Sequence, residues 1–214
     1  MVHIELTWFR IRGWPRSRSP RSRSVTLIAM CARIMVPGSK VDTVPILEGP
    51  QGLKKSTLIE ALMHDTEWFT DSLDGNLGTK DAAIGLLGKW AIEVPEMAAA
   101  ERTGAKTAKA FFSRRVDHYC SPFGIKAQDH PRPCVFWGTI NREGDGSYLD
   151  DPTGGRRYWP VPMTKIDLAG LKAARDQLWA EAFHRYQAKE EWWLSPEVEA
   201  LAKVEQADRQ EANV

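Results

Sequence analysis

The chain has 214 residues, 43% hydrophobic and 27% charged, with a formal net charge of +1. That length accommodates one sizeable domain with appendages, and the near-zero charge excludes nucleic-acid binding by bulk electrostatics, so any basic surface must be local. No run of about 18 apolar residues is present to span a membrane, and Cys31, Cys120 and Cys134 form no C-x-x-C pair, which argues against a disulfide framework or zinc site and for a reducing, cytoplasmic setting.

Residues 1–24 are expected to be a disordered basic segment. RIRGWPRSRSPRSRS sets Arg10, Arg12, Arg16, Arg18, Arg21 and Arg23 among serines and prolines, with too little apolar surface to fold alone. It reads as a nucleic-acid-binding arm, or as a tail or mis-called start of the coding sequence. The opening MVHIELTWF meets arginine too early for a signal peptide. Residues 25–35 (VTLIAMCARIM) predict a buried helix ended by PGSK, and residues 44–48 (VPILE) a buried strand. Residues 56–64 predict a helix through Leu58, Ile59, Leu62 and Met63.

Further strands are predicted at 67–70, 89–94, 134–140 and 156–161. Helices are predicted at 80–87, capped by Gly88, and at 105–119, carrying Lys106, Lys109, Arg114 and Arg115. SPFGIKAQDHPRP reads as a hairpin or loop. The chain then turns helical, over 168–189 and 196–210. Strands alternating with helices imply a mostly parallel sheet with helices on its faces. The expected organisation is the basic segment 1–24, an α/β core over 25–165 and a helical region over 166–214.

Between the first strand and the next helix lies ILEGPQGLKKST, close to the phosphate-loop pattern G-x-x-x-x-G-K-[ST]. Gly49, Pro50, Gln51, Gly52, Leu53, Lys54, Lys55, Ser56 and Thr57 would form it. Gly49 and Gly52 supply the tight turn, Lys55 a charge for outer phosphates and Ser56 a hydroxyl for magnesium. Lys54 occupies the usual glycine position, at a cost of about 1–2 kcal/mol if the backbone there is left-handed and none otherwise.

Three other strand ends carry polar groups. KWAIEVPEM holds Glu93 and Glu96, candidates for magnesium and for activating water. CVFWGTIN ends in Thr139 and Asn141, and ligands in open α/β sheets sit at carboxyl ends of strands. DPTGGRRYWPV presents Arg156 and Arg157, of which at most one faces a given site. The stretch from Lys106 to Arg132 mixes Lys109, Arg114, Arg115 and Lys126 with Phe111, Phe112, His118, Tyr119 and Phe123, a composition suited to single-stranded nucleic acid.

In order, LEGPQGLKKST, WFTDSL, KDAAIGLLGKWAIEVPEM, KAFFSRRVDHYCSPFG, CVFWGTIN, DPTGGRRYWPV, QLWAEAFHRY and WWL closely resemble the virulence-associated protein E family of phages, prophages and mobile islands, itself similar to superfamily 3 helicases of the AAA+ class. The resemblance covers residues 25–210. It implies a P-loop, AAA+-like α/β fold followed by C-terminal helices, and an ATP-dependent DNA helicase or replicative ATPase that uses Mg2+ and assembles as a homo-oligomer, with a ring as one arrangement. By the resemblance Gly49, Gly52, Lys55 and Ser56 are the phosphate loop, Glu93 the acidic strand end with Glu96 second, and Asn141 the sensor. Arg156 or Arg157 would be an arginine finger for a neighbouring subunit. Lys109–Phe123 would lie among DNA-contacting elements. Lys54 departs from the family pattern, and the residues outside 25–210 are not expected to form the primase region that often precedes such a core. Two alternatives therefore stand beside the ATPase: a truncated nucleotide- or DNA-binding remnant without turnover, and a P-loop small-molecule kinase.

Overall fold

β1 (Val44–Gly49) is buried along its whole length, the mark of a strand covered on both faces. The computed structural model describes residues 21–73, 76–122, 124–141, 157–193, 199–200 and 203. Around β1 a five-stranded sheet runs in the order β2–β3–β6–β1–β7. The others are β2 (Phe69–Thr70), β3 (Ala91–Val94), β6 (Val135–Asn141) and β7 (Tyr158–Pro162). Every pairing in this sheet is parallel, so the sheet is wholly parallel where the sequence predicted a mostly parallel one.

Side-chain alternation along the strands builds two cores. Leu47, Ala91, Val135 and Trp137 face Ile28 and Met30 of α1 (Arg21–Met35), Leu58 and Ile59 of α2 (Lys55–Leu62), and Leu171 and Leu178 of α6 (Leu168–Gln187). Val44, Ile46, Ile92, Val94 and Phe136 face the opposite layer. That layer contains α3 (Lys80–Ile84), α4 (Ala98–Thr103) and α5 (Ala105–Ser113), from which Phe111 and Phe112 enter the core. α6 is tied to the end of α2, where Trp179 Nε1 donates to Leu62 O at 2.8 Å and Arg175 donates to Met63 O at 2.8 Å. These bonds satisfy carbonyls that a helix end leaves without partners.

Three differences from the sequence reading matter. α1 begins at Arg21, four residues inside the segment expected to be disordered. The helix predicted over 105–119 stops at Ser113, and Arg114, its cap, is extended (φ −67°, ψ 137°). Residues Val116–Tyr119 form β4, antiparallel to β5 (Gln128–Pro131). The stretch read as a hairpin or loop thus supplies the connection and the second strand of a hairpin, whose first strand is the end of the predicted helix. Tertiary bonding overrides helical propensity there, because Arg132 N donates to Arg115 O at 2.9 Å and Arg132 pairs with Asp117. Residues 1–20, and the second C-terminal helix predicted over 196–210 except for three of its positions, lie outside the described residues.

Candidate functional site

The carboxyl ends of β1, β3 and β6 are adjacent, since Gly49 is in register with Asn141 and Val94 with Gly138. The loop Pro50–Lys54 leaves β1 there and enters α2. Gly49 is required by close approach: a Cβ would meet Met163 O and Leu53 Cδ2 at 2.8 Å. Gly52 has φ +78°, a turn conformation natural to glycine. Lys54 is left-handed too, at φ 67°, ψ 38°. The strain foreseen for a lysine here is therefore present, about 1–2 kcal/mol.

Lys55 turns back over the loop and is buried. Its Nζ donates to Gly49 O (2.9 Å), Pro50 O (3.0 Å) and Asn141 Oδ1 (2.7 Å). Those three bonds engage all the protons of the ammonium group. Burial lowers the Lys55 pKa, while Glu96 and Glu93 oppose that shift. The Asn141 amide continues the chain, with Nδ2 donating to Glu96 Oε1 (2.5 Å) and its backbone N to Glu96 Oε2 (3.1 Å). Glu96 stands at φ 50°, and Met97 beside it also at φ 50°.

Glu93 is fully buried at the end of β3. Its Oε1 accepts from Ser56 Oγ at 2.8 Å and from Thr139 Oγ1 at 2.7 Å. Its Oε2 is buried with no partner among the described residues. Burial raises the Glu93 pKa, and the Thr139 and Ser56 hydroxyls draw it back in part. A buried carboxylate with one bare oxygen is costly unless a cation or proton meets it. Magnesium fits this donor set, since Ser56 Oγ and Glu93 are hard oxygen groups beside the loop. Among the described residues no three His, Cys, Asp or Glu side chains gather into a metal site. A cation here would complete its shell with phosphate and water.

The predicted site residues thus divide. Gly49 to Thr57, Glu93, Glu96 and Asn141 meet at one edge of the sheet, with Thr139 joining them. Arg157 does not: it precedes β7, whose Tyr158 is in register with Val44 at the start of β1. Its Nε donates to Ser113 Oγ at 2.8 Å. A six-residue strand spans about 17–20 Å, so Arg157 lies a strand length from the loop of its own chain. Arg156 and Phe123 are outside the described residues.

Of the predicted nucleic-acid residues, Lys109 lies near Arg157, and Arg114 and Arg115 have structural partners. Lys109 has its pKa lowered by burial and by nearby Arg157. Arg114 donates to Asp117 Oδ1 at 2.9 Å, and Arg115 Nε to Gly38 O at 2.6 Å. Lys126 is exposed. Phe111, Phe112 and Tyr119 are buried, so these rings pack the interior and are not the stacking surface that the aromatic pattern suggested.

One cluster went unread in the sequence. Arg132, buried, grips Asp117 with two bonds of 2.6 and 2.8 Å and donates to Phe111 O at 2.6 Å. Arg33 donates to Arg132 O and Val41 O, both at 3.1 Å. Burial pushes the Asp117 carboxyl up, but Arg132 and Arg114 outweigh it and hold it below the usual range. Strand alternation places Asp117 on the face of Tyr119, opposite exposed Val116 and His118, but nothing local marks that face as the buried one.

A family model of the virulence-associated protein E-like domain matches residues 16–211. The search of curated proteins found no match. Among solved structures, the chain is similar to "The A form apo structure of NrS-1 C terminal region-CTR" at 17% identity, with TM-score 0.49 over 90% of this chain and 48% of that one. A second, "The A form apo structure of NrS-1 C terminal region-CTR(305-718)", gives 15% identity and TM-score 0.46 over 98% and 43%. The chain therefore spans less than half the length of these structures.

Proposed function

The chain belongs to the virulence-associated protein E-like family, and we propose that it is a replication ATPase core that binds Mg-ATP at the loop after β1 and couples its hydrolysis to movement on DNA, with single strands the expected substrate. The observation that carries this reading is Glu93. A fully buried carboxylate with a bare Oε2, tied through Oε1 to the hydroxyl that follows Lys55, is poorly explained as a structural group.

The residues present suit in-line hydrolysis. Lys55 would exchange loop carbonyls for phosphate oxygens, and the first-turn N–H groups of α2 would face the phosphates at the positive end of the helix. Ser56 and Glu93 would hold the magnesium, which when bound neutralises charge on the phosphate oxygens. Asn141, bonded to both Lys55 and Glu96, is suited to orient water. Water would attack the γ-phosphorus and the bond to the bridging oxygen would break, releasing ADP. The proton from water would pass to Glu93 or Glu96. Arg157, remote from its own loop, suits a finger donated to a neighbouring subunit, as would Arg156; either implies a homo-oligomer, with a ring as one arrangement. Lys109, Arg114, Arg115 and Lys126 form the basic side proposed to meet DNA. No helix among the described residues is long and apolar enough to cross a membrane.

A second reading, nucleotide binding without turnover, is favoured by the left-handed Lys54. The deciding experiment measures ADP release from Mg-ATP, with and without single-stranded DNA, for the parent, Lys55→Ala and Arg157→Ala. DNA-stimulated release lost in Lys55→Ala is expected. Arg157→Ala should keep nucleotide affinity, lose turnover, and regain some when mixed with Lys55→Ala chains, since mixed interfaces restore complete sites. Turnover that survives Lys55→Ala would reject the site; nucleotide binding without release in the parent would select the second reading.

A further inference from the structure

We propose that Lys54 is a specificity residue, a second cation at the loop mouth that makes ligand affinity depend on the charge of a condensed phosphate tail; this rests on the reading of the loop as a nucleotide site. Two local preferences run against a lysine here. Its backbone is left-handed (φ 67°, ψ 38°), a conformation that favours glycine or asparagine. It also caps the amino terminus of α2, the positive end of a helix with no acidic residue in its first turn, and cations are unfavourable there. A bound polyanion reverses the second preference.

The two lysines are not equivalent. Lys55 is buried and has all three protons engaged. Lys54 is exposed, and its side chain has no hydrogen bond or ion pair with any described residue. Its neighbours Gln51, Gly52, Ser56 and Thr57 are exposed as well, so the mouth is open on that side. An independent feature points to a ligand at the same helix start: Glu93 is 0% exposed, bonded to Ser56 through Oε1 and bare at Oε2. A cation there, together with exposed Lys54 at the start of the same helix, suits a ligand carrying several negative charges. Lys54 therefore selects nucleoside triphosphates over monophosphates through the tail rather than the base.

The test is calorimetric binding of ATP, AMP and inorganic tripolyphosphate, with magnesium, at two ionic strengths. The full chain is compared with Lys54→Asn, Lys54→Gly and Lys55→Ala. Losing one charge-assisted contact should weaken ATP and tripolyphosphate alike, by roughly five- to tenfold, with AMP changed by about twofold or less. The salt dependence of ATP binding should shrink in both Lys54 variants. Lys54→Gly should also raise the melting temperature without ligand, which separates strain from charge. ATP affinity unchanged or tighter in both Lys54 variants, with binding lost in Lys55→Ala, overturns the role of Lys54 and leaves the nucleotide site standing. A parent that binds neither ATP nor tripolyphosphate overturns both readings.

Discussion

Two buried carboxylates, Asp117 in the β4–β5 hairpin and Glu93 on β3 of the parallel sheet, are solved in opposite ways. In the hairpin Asp117 is saturated by Arg132 and Arg114, and its pKa stays low despite burial. At the carboxyl-terminal ends of the strands Glu93 meets, among the described residues, two hydroxyls at Oε1 and no partner at Oε2, and has its pKa raised by burial. The first arrangement completes a fold, clasping the β4–β5 hairpin to α1 and α5. The second leaves a need that an incoming cation can meet. Saturation separates a structural ion pair from a site.

Breaking the saturated side should have the largest effect. Arg132→Ala leaves Asp117 buried without its main partner and should lower stability by about 3–5 kcal/mol, read by urea unfolding. A change under a third of that would show that the hairpin is held elsewhere. On the other side, Glu93→Gln should lower Mg-ATP turnover by about 10²–10³-fold while raising the melting temperature of the ligand-free protein, because a desolvated charge is removed. A falling melting temperature would place Glu93 among the structural groups.

The two carboxylates also differ in sign with pH. The folded pKa of Asp117 is depressed, so its contribution is present above the ordinary carboxylate range and lost as pH falls toward the folded value. The folded pKa of Glu93 is raised, so stability declines as pH rises through the window just above that range. Melting curves against pH should keep their acid limb in Glu93→Gln and lose the decline above it. The smallest effect is expected at Lys126. With no nucleotide chemistry to perform, Lys126→Ala should weaken single-stranded DNA binding a few-fold and reduce the salt slope by about one, leaving stability unchanged.

Much of the carboxyl-terminal edge was legible in sequence because its residues are placed by local grammar. VPILEG is a strand, STLIEAL carries helical spacing, and the loop between them follows. Glu93 and Asn141 each end an apolar run, and runs in a parallel sheet end together. The β4–β5 hairpin resisted the same reading. AKTAKAFFSRRVDHY has helical character throughout, and nothing local to it reveals that Arg132, fifteen residues beyond Asp117, claims that aspartate. Buried Phe111 and Phe112 were read as stacking rings for the same reason, since a ring beside lysines looks alike whether it faces solvent or core.

The sequence by itself determined the succession of the five parallel strands, the helix that follows the loop, the family and the composition of the loop. These depend on periodicity and on turn residues, which act over a few positions. Only the tertiary structure decided which groups are satisfied among the described residues: that Lys55 has its three protons engaged, that Glu93 Oε2 and the left-handed Lys54 side chain have no partner there, and that Arg157 is far from its own loop. Satisfaction is a property of atoms brought together from distant segments, and in water each of these side chains is satisfied equally. Burial alone makes the difference between them count.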